Sequence, residues 1–144
     1  MILLDTTILV YAVGTEHPLR APTRGLLELV GDGTVRASTT VEVVQEFAQV
    51  RSRRRPRAEA TARAIEYATG LAPLARPDEE DLLHGLDLFG ASADLGPFDT
   101  VLAATALRRS WSLASADRAF GRIDHLFYLD PSAPTFFDDV RAAG

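Results

Sequence analysis

Short apolar runs alternate along the chain with longer segments in which apolar residues recur at helical spacing. Four runs predict strands: residues 2–4, 34–38, 111–114 and 126–129. The first run, Ile2 to Leu4, is apolar throughout, which is typical of a central strand buried on both faces. Residues 71–75 form a weaker candidate for a further strand.

Helical segments fill the intervals between these runs. Their predicted bounds are residues 8–13, 21–30, 39–50, 58–69, 78–89 and 97–107, with a short turn of helix near 119–120. One helix start has a sequence signal, because Thr39 with Glu42 three positions later fits a capping box. The alternation of strands and helices predicts a three-layer α/β fold with a mainly parallel sheet. The length of 144 residues predicts a single domain, residues 1–144.

The composition narrows the chemistry that the chain can carry out. It contains no cysteine, which excludes disulfides, thiolate metal sites and cysteine nucleophiles. The three histidines, His17, His84 and His125, are far apart in the sequence, so a metal would be held mainly by carboxylates. A formal net charge of −5 argues against a protein that coats nucleic acid through bulk positive charge, but it is compatible with a nuclease. No apolar run approaches the roughly 20 residues of a membrane helix and no basic leader is present, so we expect a cytoplasmic protein without a membrane partner.

Four acids occupy positions that a parallel sheet would bring together. Asp5 follows the first strand, and Asp117 follows the strand at residues 111–114. Glu46 and Asp99 lie on helices that flank the sheet. Ligands of such sheets bind beyond the carboxyl ends of the strands, where four carboxylates would raise one another's pKa unless a cation neutralised them. Because Mg²⁺ and Mn²⁺ prefer oxygen ligands, an all-acid site points to metal-assisted phosphodiester chemistry.

Each acid also has a purely structural interpretation. Asp5 could cap the helix that follows it, although a carboxylate at the end of a buried strand is costly unless it is compensated. Asp99 could be a first-turn acid favoured by the helix dipole, and Asp117 could be a helix cap. Glu46 competes with Glu42, which lies one turn earlier on the same helix face. The capping box explains Glu42, whereas Glu46 lies on the apolar stripe, beside Val43 and Val50, without a local explanation, so we favour Glu46.

Four blocks in this order and spacing resemble the PIN domain family. They are residues 3–12, 43–47, 98–104 and 113–120, which contain Asp5, Glu46, Asp99 and Asp117, respectively. The order, the spacing and the length of 144 residues are similar to the VapC toxins of bacterial VapBC toxin–antitoxin pairs. The resemblance covers essentially the whole chain.

The resemblance implies a three-layer α/β/α PIN-like domain and an endoribonuclease that hydrolyses RNA phosphodiester bonds with Mg²⁺ or Mn²⁺. The four acids would form the catalytic set and would bind one or two metal ions. Thr6 or Thr7 would orient Asp5 or a metal-bound water. Ser115 matches a small hydroxyl position of the fourth block, and Glu42 would be a supporting acid. The resemblance also implies a homodimer and a VapB-type antitoxin that covers the site.

One basic cluster interrupts this acidic chain. It consists of Arg51, Arg53, Arg54, Arg55 and Arg57. The cluster either contacts RNA phosphates or is a solvated helix end whose cations suit the C-terminal dipole. Arg118, next to Asp117, either binds phosphate or pairs with a site acid.

The residues alone leave two other functions to be weighed. A haloacid-dehalogenase-like phosphatase also begins with a strand and an aspartate. That chemistry requires a second aspartate where this chain has Thr7, and a lysine, which this chain lacks. A catalytically silent PIN-like binding module is the other alternative. The four acids argue against it, because buried acids without a metal cost stability.

Overall fold

The computed structural model describes residues 1–144 and contains a single four-stranded sheet. The strands are β1 Ile2–Leu4, β2 Ala37–Ser38, β3 Ser112–Ala114 and β4 Tyr128–Leu129. All pairs are parallel, and the order across the sheet is β2-β1-β3-β4. Every residue of β1 is fully buried, and successive strand side chains point to opposite faces, so both faces of the sheet are covered. The predicted three-layer α/β fold with a parallel sheet is confirmed.

Seven α-helices surround this sheet. They are α1 Thr6–Ala12, α2 Arg20–Gly31, α3 Val41–Ser52, α4 Arg57–Gly70, α5 Glu79–Ala91, α6 Pro97–Arg109 and α7 Phe136–Ala143. A short 3₁₀ helix, Arg118–Arg122, follows β3. None of the helices combines the length and the apolar character required to cross a lipid bilayer.

The strand suggested at residues 71–75 is absent. Leu71 closes α4, and only Ala75 pairs, through its N–H to the carbonyl of Thr39 at 2.9 Å. The hydroxyl of Ser38 donates to the carbonyls of Leu71 and Pro73, at 3.2 and 2.9 Å. Pro73 has no N–H to offer a ladder. Side-chain hydrogen bonds therefore replace strand pairing in this segment.

Thr40, and not Thr39, caps α3. The Thr40 hydroxyl accepts from the N–H of Val43 at 3.3 Å, whereas the Thr39 hydroxyl donates to the carbonyl of Leu4 at 2.7 Å. Glu42 is exposed and takes no part in capping. The capping box predicted from Thr39 and Glu42 is wrong, because the end of β1 competes successfully for the Thr39 hydroxyl.

The order of the strands reverses at β1, which pairs with β2 on one side and β3 on the other. Leu4 is in register with Ala114, and the Asp5 N–H donates to the Ala114 carbonyl at 3.0 Å. Asp5 and Ser115, which follow these two strands, therefore adjoin each other at the carboxyl edge of the sheet. Open parallel sheets bind ligands at this kind of switch point.

Candidate active site

Asp5 is the most firmly held carboxylate at the switch point. Asp5 is buried, with a relative exposure of only 5%. One oxygen, Oδ2, accepts from the hydroxyls of Thr7 and Ser115, both at 2.7 Å, and from the Thr7 N–H at 3.3 Å. The other oxygen, Oδ1, has no hydrogen-bond donor. Asp5 thus caps α1, as its structural interpretation proposed, and still leaves one oxygen free.

The two hydroxyls that hold Asp5 are themselves fixed by the loop after β3. Each hydroxyl has one proton, which it donates to Asp5, so its own oxygen is left to accept. Thr7 accepts from the Ala116 N–H and Ser115 accepts from the Asp117 N–H, both at 2.9 Å. The 3.3 Å contact between the Thr7 and Ser115 hydroxyls then has no proton to share. This network ties the first and fourth sequence blocks into one rigid unit.

Glu46 and Glu42 lie one turn apart on the exposed face of α3. The Thr6 hydroxyl donates to Glu46 Oε2 at 2.5 Å. Glu46 is exposed, so its predicted place on the apolar stripe is wrong, since Val43 and Phe47 are the buried residues of this turn. The capping box no longer separates the two glutamates, because Glu42 takes no part in capping. The hydrogen bond from Thr6 is what distinguishes Glu46 from Glu42.

Asp99 lies in the first turn of α6 at the switch point. Its Oδ2 accepts from the Gly96 N–H at 3.3 Å. Burial, followed by the negative charge of Asp5, raises the pKa of Asp99 to about 6, although the Gly96 N–H works in the opposite direction. Glu46 and Asp117 add smaller contributions of the same sign to this pKa. The four acids predicted from the sequence therefore share one electrostatic environment.

Asp117 is the most peripheral of the four acids. It is exposed, and its Oδ1 accepts from the Ala119 N–H at 2.9 Å, which caps the 3₁₀ helix. The capping interpretation of Asp117 is thus confirmed. The negative charge of Asp117 nevertheless reaches Asp99.

A cavity of about 700 Å³ opens beside Asp5 and Asp99. Six acids and no basic side chain line it: Asp5, Glu42, Glu46, Asp78, Glu79 and Asp99. The rest of the wall is mainly apolar and includes Phe98, which is 74% exposed. Sequence reasoning missed Asp78 and Glu79 as cavity residues, because acids at the start of α5 are already explained by the helix dipole.

Hard divalent cations such as Mg²⁺ prefer oxygen ligands, so the carboxylates of this cavity are suitable ligands for such an ion. No three acidic or histidine side chains are already gathered closely enough to form a complete metal centre. Glu46 is engaged by Thr6, and Asp117 by the N–H of Ala119. Mg²⁺ typically takes one or two protein carboxylates plus water, so Asp5 and Asp99 supply a sufficient protein share.

The arginines near the site have other partners than the site acids. Arg118 approaches Asp130 at 3.5 Å and donates to Ser132 at 3.1 Å, so it does not pair with a site acid. Arg51 donates to Glu59 at 2.7 and 3.0 Å and to the Val13 carbonyl at 3.0 Å, which makes it a structural residue.

Comparisons with known proteins bear on the family and the fold of the chain. The family model of the PIN domain matches residues 2–126. Ribonuclease VapC7 of Mycobacterium tuberculosis is 42% identical over 135 residues, which are 92% of this chain and 93% of that protein. Ribonuclease VapC23 of the same species is 32% identical over 111 residues, which are 76% of this chain and 86% of that protein.

Two solved structures share the fold. VapBC2 from Rickettsia felis, bound to a DNA fragment from the promoter, has a TM-score of 0.71 at 18% identity and covers 90% of this chain and 98% of that chain. VapBC-1 from nontypeable Haemophilus influenzae has a TM-score of 0.68 at 21% identity and covers 92% of this chain and 100% of that chain. At these identities the likeness shows the architecture alone.

Proposed function

The chain belongs to the PIN domain family, and on that basis we propose that it is a metal-dependent endoribonuclease, the toxin of a toxin–antitoxin pair. The relative named Ribonuclease VapC7 is 42% identical over 92% of the chain. RNA is therefore the proposed substrate, and hydrolysis of its phosphodiester bonds is the proposed reaction.

The composition of the cavity wall is the observation that carries the proposal. Asp5 and Asp99 lie in a cavity that six acids and no basic side chain line, and of these acids only Asp78 is paired, with Arg108 at 2.7 Å. Coulomb repulsion would keep an RNA phosphate away from such a wall unless a cation lay between them. Burial, and after it the negative charge of Asp5, raises the pKa of Asp99 to about 6, so a bound cation would also offset the charge on this carboxylate.

Mg²⁺ or Mn²⁺ is the proposed cofactor. Asp5 and Asp99 would hold it, with Glu46 and Asp117 as the further acids of the set. When bound, the ion would lower the pKa of a water molecule and offset the charge that develops on the scissile phosphate.

The residues of the chain would position the reacting groups. Thr7 and Ser115 fix one oxygen of Asp5, so the direction of the other is set before any ligand arrives. Thr6 restrains the carboxylate of Glu46 in the same way. Fixed carboxylates lose little conformational entropy on binding, which favours a well-defined attack geometry.

A VapB-type antitoxin and a second copy of the chain are the proposed partners. Both structural neighbours named above are VapBC complexes. The exposed Phe98 on the apolar part of the cavity wall is a surface that such a partner would cover.

Neither alternative function gains support from the site. The position at which a phosphatase of the haloacid dehalogenase type needs a second aspartate holds Thr7, whose hydroxyl is committed to Asp5. A silent binding module would not need a buried carboxylate with one oxygen left free.

Cleavage of total bacterial RNA by the purified protein, with mapping of the 5′ ends, tests the proposal. We expect discrete cleavage with Mg²⁺ or Mn²⁺, none with EDTA, and none by Asp99→Asn with either metal. Asp94→Asn is the matched control, because Asp94 pairs with Arg122 and does not line the cavity. Cleavage that persists in EDTA would reject the metal, and an inactive wild-type protein would reject the nuclease.

A further inference from the structure

The turn between α3 and α4 carries unbalanced positive charge. Residues 47–58 contain five arginines and no acid, in a chain with a net charge of −5. Arg51 is not part of the surplus, since Glu59 neutralises it. The other four arginines are exposed and form no ion pair or side-chain hydrogen bond, and we name them the arginine patch: Arg53, Arg54, Arg55 and Arg57.

Helix stability explains only part of the arginine patch. The dipole of α3 favours cations at its C-terminal end, where residues 53–55 lie. Arg57 is the first residue of α4, where the dipole disfavours a cation. Four like charges in so short a stretch also repel one another. These four charges therefore contribute little to the stability of the fold, whereas all four would attract a bound anion.

The exposed face of α3 connects the cavity to the arginine patch. Glu46 and Arg53 are seven residues apart and so lie on the same helix face, and Arg53 keeps helical backbone angles of φ −73° and ψ −20°. Gln49, which is exposed and uncharged, lies between them on this face. At a rise of 1.5 Å per residue, the separation along the axis is about 10 Å.

We propose that the arginine patch binds backbone phosphates of a single-stranded segment of the RNA substrate, about three nucleotides from the bond that is cut. A stacked strand advances about 3.4 Å per nucleotide, so about 10 Å corresponds to three nucleotides. The proposal rests on the proposed nuclease function, because it places the scissile phosphate at the acidic cavity. The patch supplies affinity and register, and the acids supply the chemistry.

Two triple variants that remove the same charge test this assignment. R53Q/R54Q/R57Q weakens the arginine patch, and R24Q/R36Q/R141Q removes exposed arginines of α2, the amino end of β2 and α7. Each variant is compared with wild type on an RNA site found by the mapping experiment. That site is synthesised as an oligonucleotide of about 20 nucleotides and as a version trimmed to two nucleotides on each side of the cut.

For the patch variant we expect KM on the long oligonucleotide to rise about tenfold at moderate salt, with kcat unchanged. The slope of log affinity against log salt should fall by about 2, since each phosphate contact on a single strand contributes about 0.7. The trimmed oligonucleotide should be cleaved as by wild type. The control variant should match wild type on both substrates, and neither triple variant should be unfolded at the assay temperature, which thermal unfolding checks.

An unchanged KM in the patch variant, or equal changes in both triple variants, would overturn the assignment. Loss of cleavage of the trimmed oligonucleotide would do so too, because the arginines would then act within the cavity. Anisotropy of a fluorescein-labelled RNA, measured with each triple variant combined with Asp99→Asn, tests the patch without cleavage. If the wild-type protein cleaves no RNA, the nuclease function is rejected. The anisotropy measurement still shows whether the arginine patch binds RNA. Patch-dependent binding of polyglutamate with unchanged RNA affinity would assign this surface to an acidic protein.

Discussion

Asp5 and Asp99 face the same cavity, but they receive different numbers of hydrogen bonds. Asp5 Oδ2 accepts three, two of them at 2.7 Å. Asp99 accepts only one, from the Gly96 N–H at 3.3 Å. Burial and the neighbouring charge of Asp5 therefore prevail, and the pKa of Asp99 rises to about 6. At the residue scale, Asp99 is where the negative charge of the site is least compensated.

This raised pKa predicts a dependence of stability on pH. The folded protein binds a proton at Asp99 more tightly than the unfolded chain, whose ordinary value is 3.8, so stability falls as pH rises through this interval to about 6. In EDTA at neutral pH, Asp99→Asn should raise the free energy of unfolding by about 1 kcal/mol after allowance for solvent screening. This gain in the free energy of unfolding should vanish below about pH 3.8, the ordinary pKa of an aspartate, where Asp99 is protonated in both the folded and the unfolded state. Urea unfolding at several pH values measures it, and a variant less stable than wild type at neutral pH would contradict the prediction.

Glu46 and Glu42 form a second residue-scale comparison. Both line the cavity, but only Glu46 has its carboxylate held, by the hydroxyl of Thr6. Glu46→Gln should therefore lower kcat by a factor of about 10 to 100, and Glu42→Gln by less than about threefold. Initial rates at saturating metal and RNA measure the difference. A larger loss in Glu42→Gln would reverse the assignment of the supporting acid.

At the scale of elements, α5 holds α6, and α6 carries Asp99. The two helices pack so closely at Gly85 that a Cβ there would lie 2.6 Å from Val101 Cγ2 and 2.7 Å from its Cα. About one turn before Gly85 in α5, the fully buried Asp81 pairs with Arg108 and Arg109 of α6 at 2.6 and 2.9 Å. The position of Asp99 at the cavity thus depends on contacts made by side chains that never touch a substrate.

Two glycines of α5 provide a matched test of this packing. Gly85→Ala should destabilise the protein by about 1 to 3 kcal/mol, because the added methyl meets the backbone of Val101. Gly90→Ala, in the same helix with nothing within 4 Å of the added Cβ, should instead stabilise it by about 0.5 to 1 kcal/mol. Thermal unfolding measures both changes. Equal effects of the two substitutions would show that α5 and α6 are not so closely packed.

At the scale of the whole molecule, the acids bring together segments that are distant in the sequence. The hydrogen bond from Thr6 to Glu46 spans 40 residues, and the one from Ser115 to Asp5 spans 110 residues. A ligand that neutralises this site would therefore stabilise the entire fold and not one element.

Divalent metal should raise the melting temperature of the whole protein. At a free concentration tenfold above Kd, mass action stabilises the folded state by about 1.4 kcal/mol, which corresponds to about 4 °C for a domain of this size. Asp99→Asn should lose most of this shift, and Asp94→Asn should retain it. A shift of equal size in wild type and Asp99→Asn would locate the binding elsewhere.

Local patterns in the sequence were sufficient to place most of the elements, although they gave no signal for α7 and wrongly suggested a strand at residues 71–75. The apolar run at residues 2–4 and the Gly96-Pro97 start of α6 act within a few residues, so sequence reasoning located them well. The position of Asp5 at the end of β1 follows from the same local signal. The other three strands were predicted one to three residues too long, because backbone pairing depends on neighbours that the pattern does not contain.

Tertiary structure decided which of several similar side chains takes each partner. The spacing to Glu42 favoured Thr39 as the cap of α3, but the nearby carbonyl of Leu4 engages the Thr39 hydroxyl, and Thr40 caps the helix instead. Arg51 and Arg53 likewise belong to one basic run, yet Glu59 neutralises the first and leaves the second exposed. Hydrogen bonds and ion pairs act only at a few ångströms, so their partners are chosen by the fold and not by the spacing of residues along the chain.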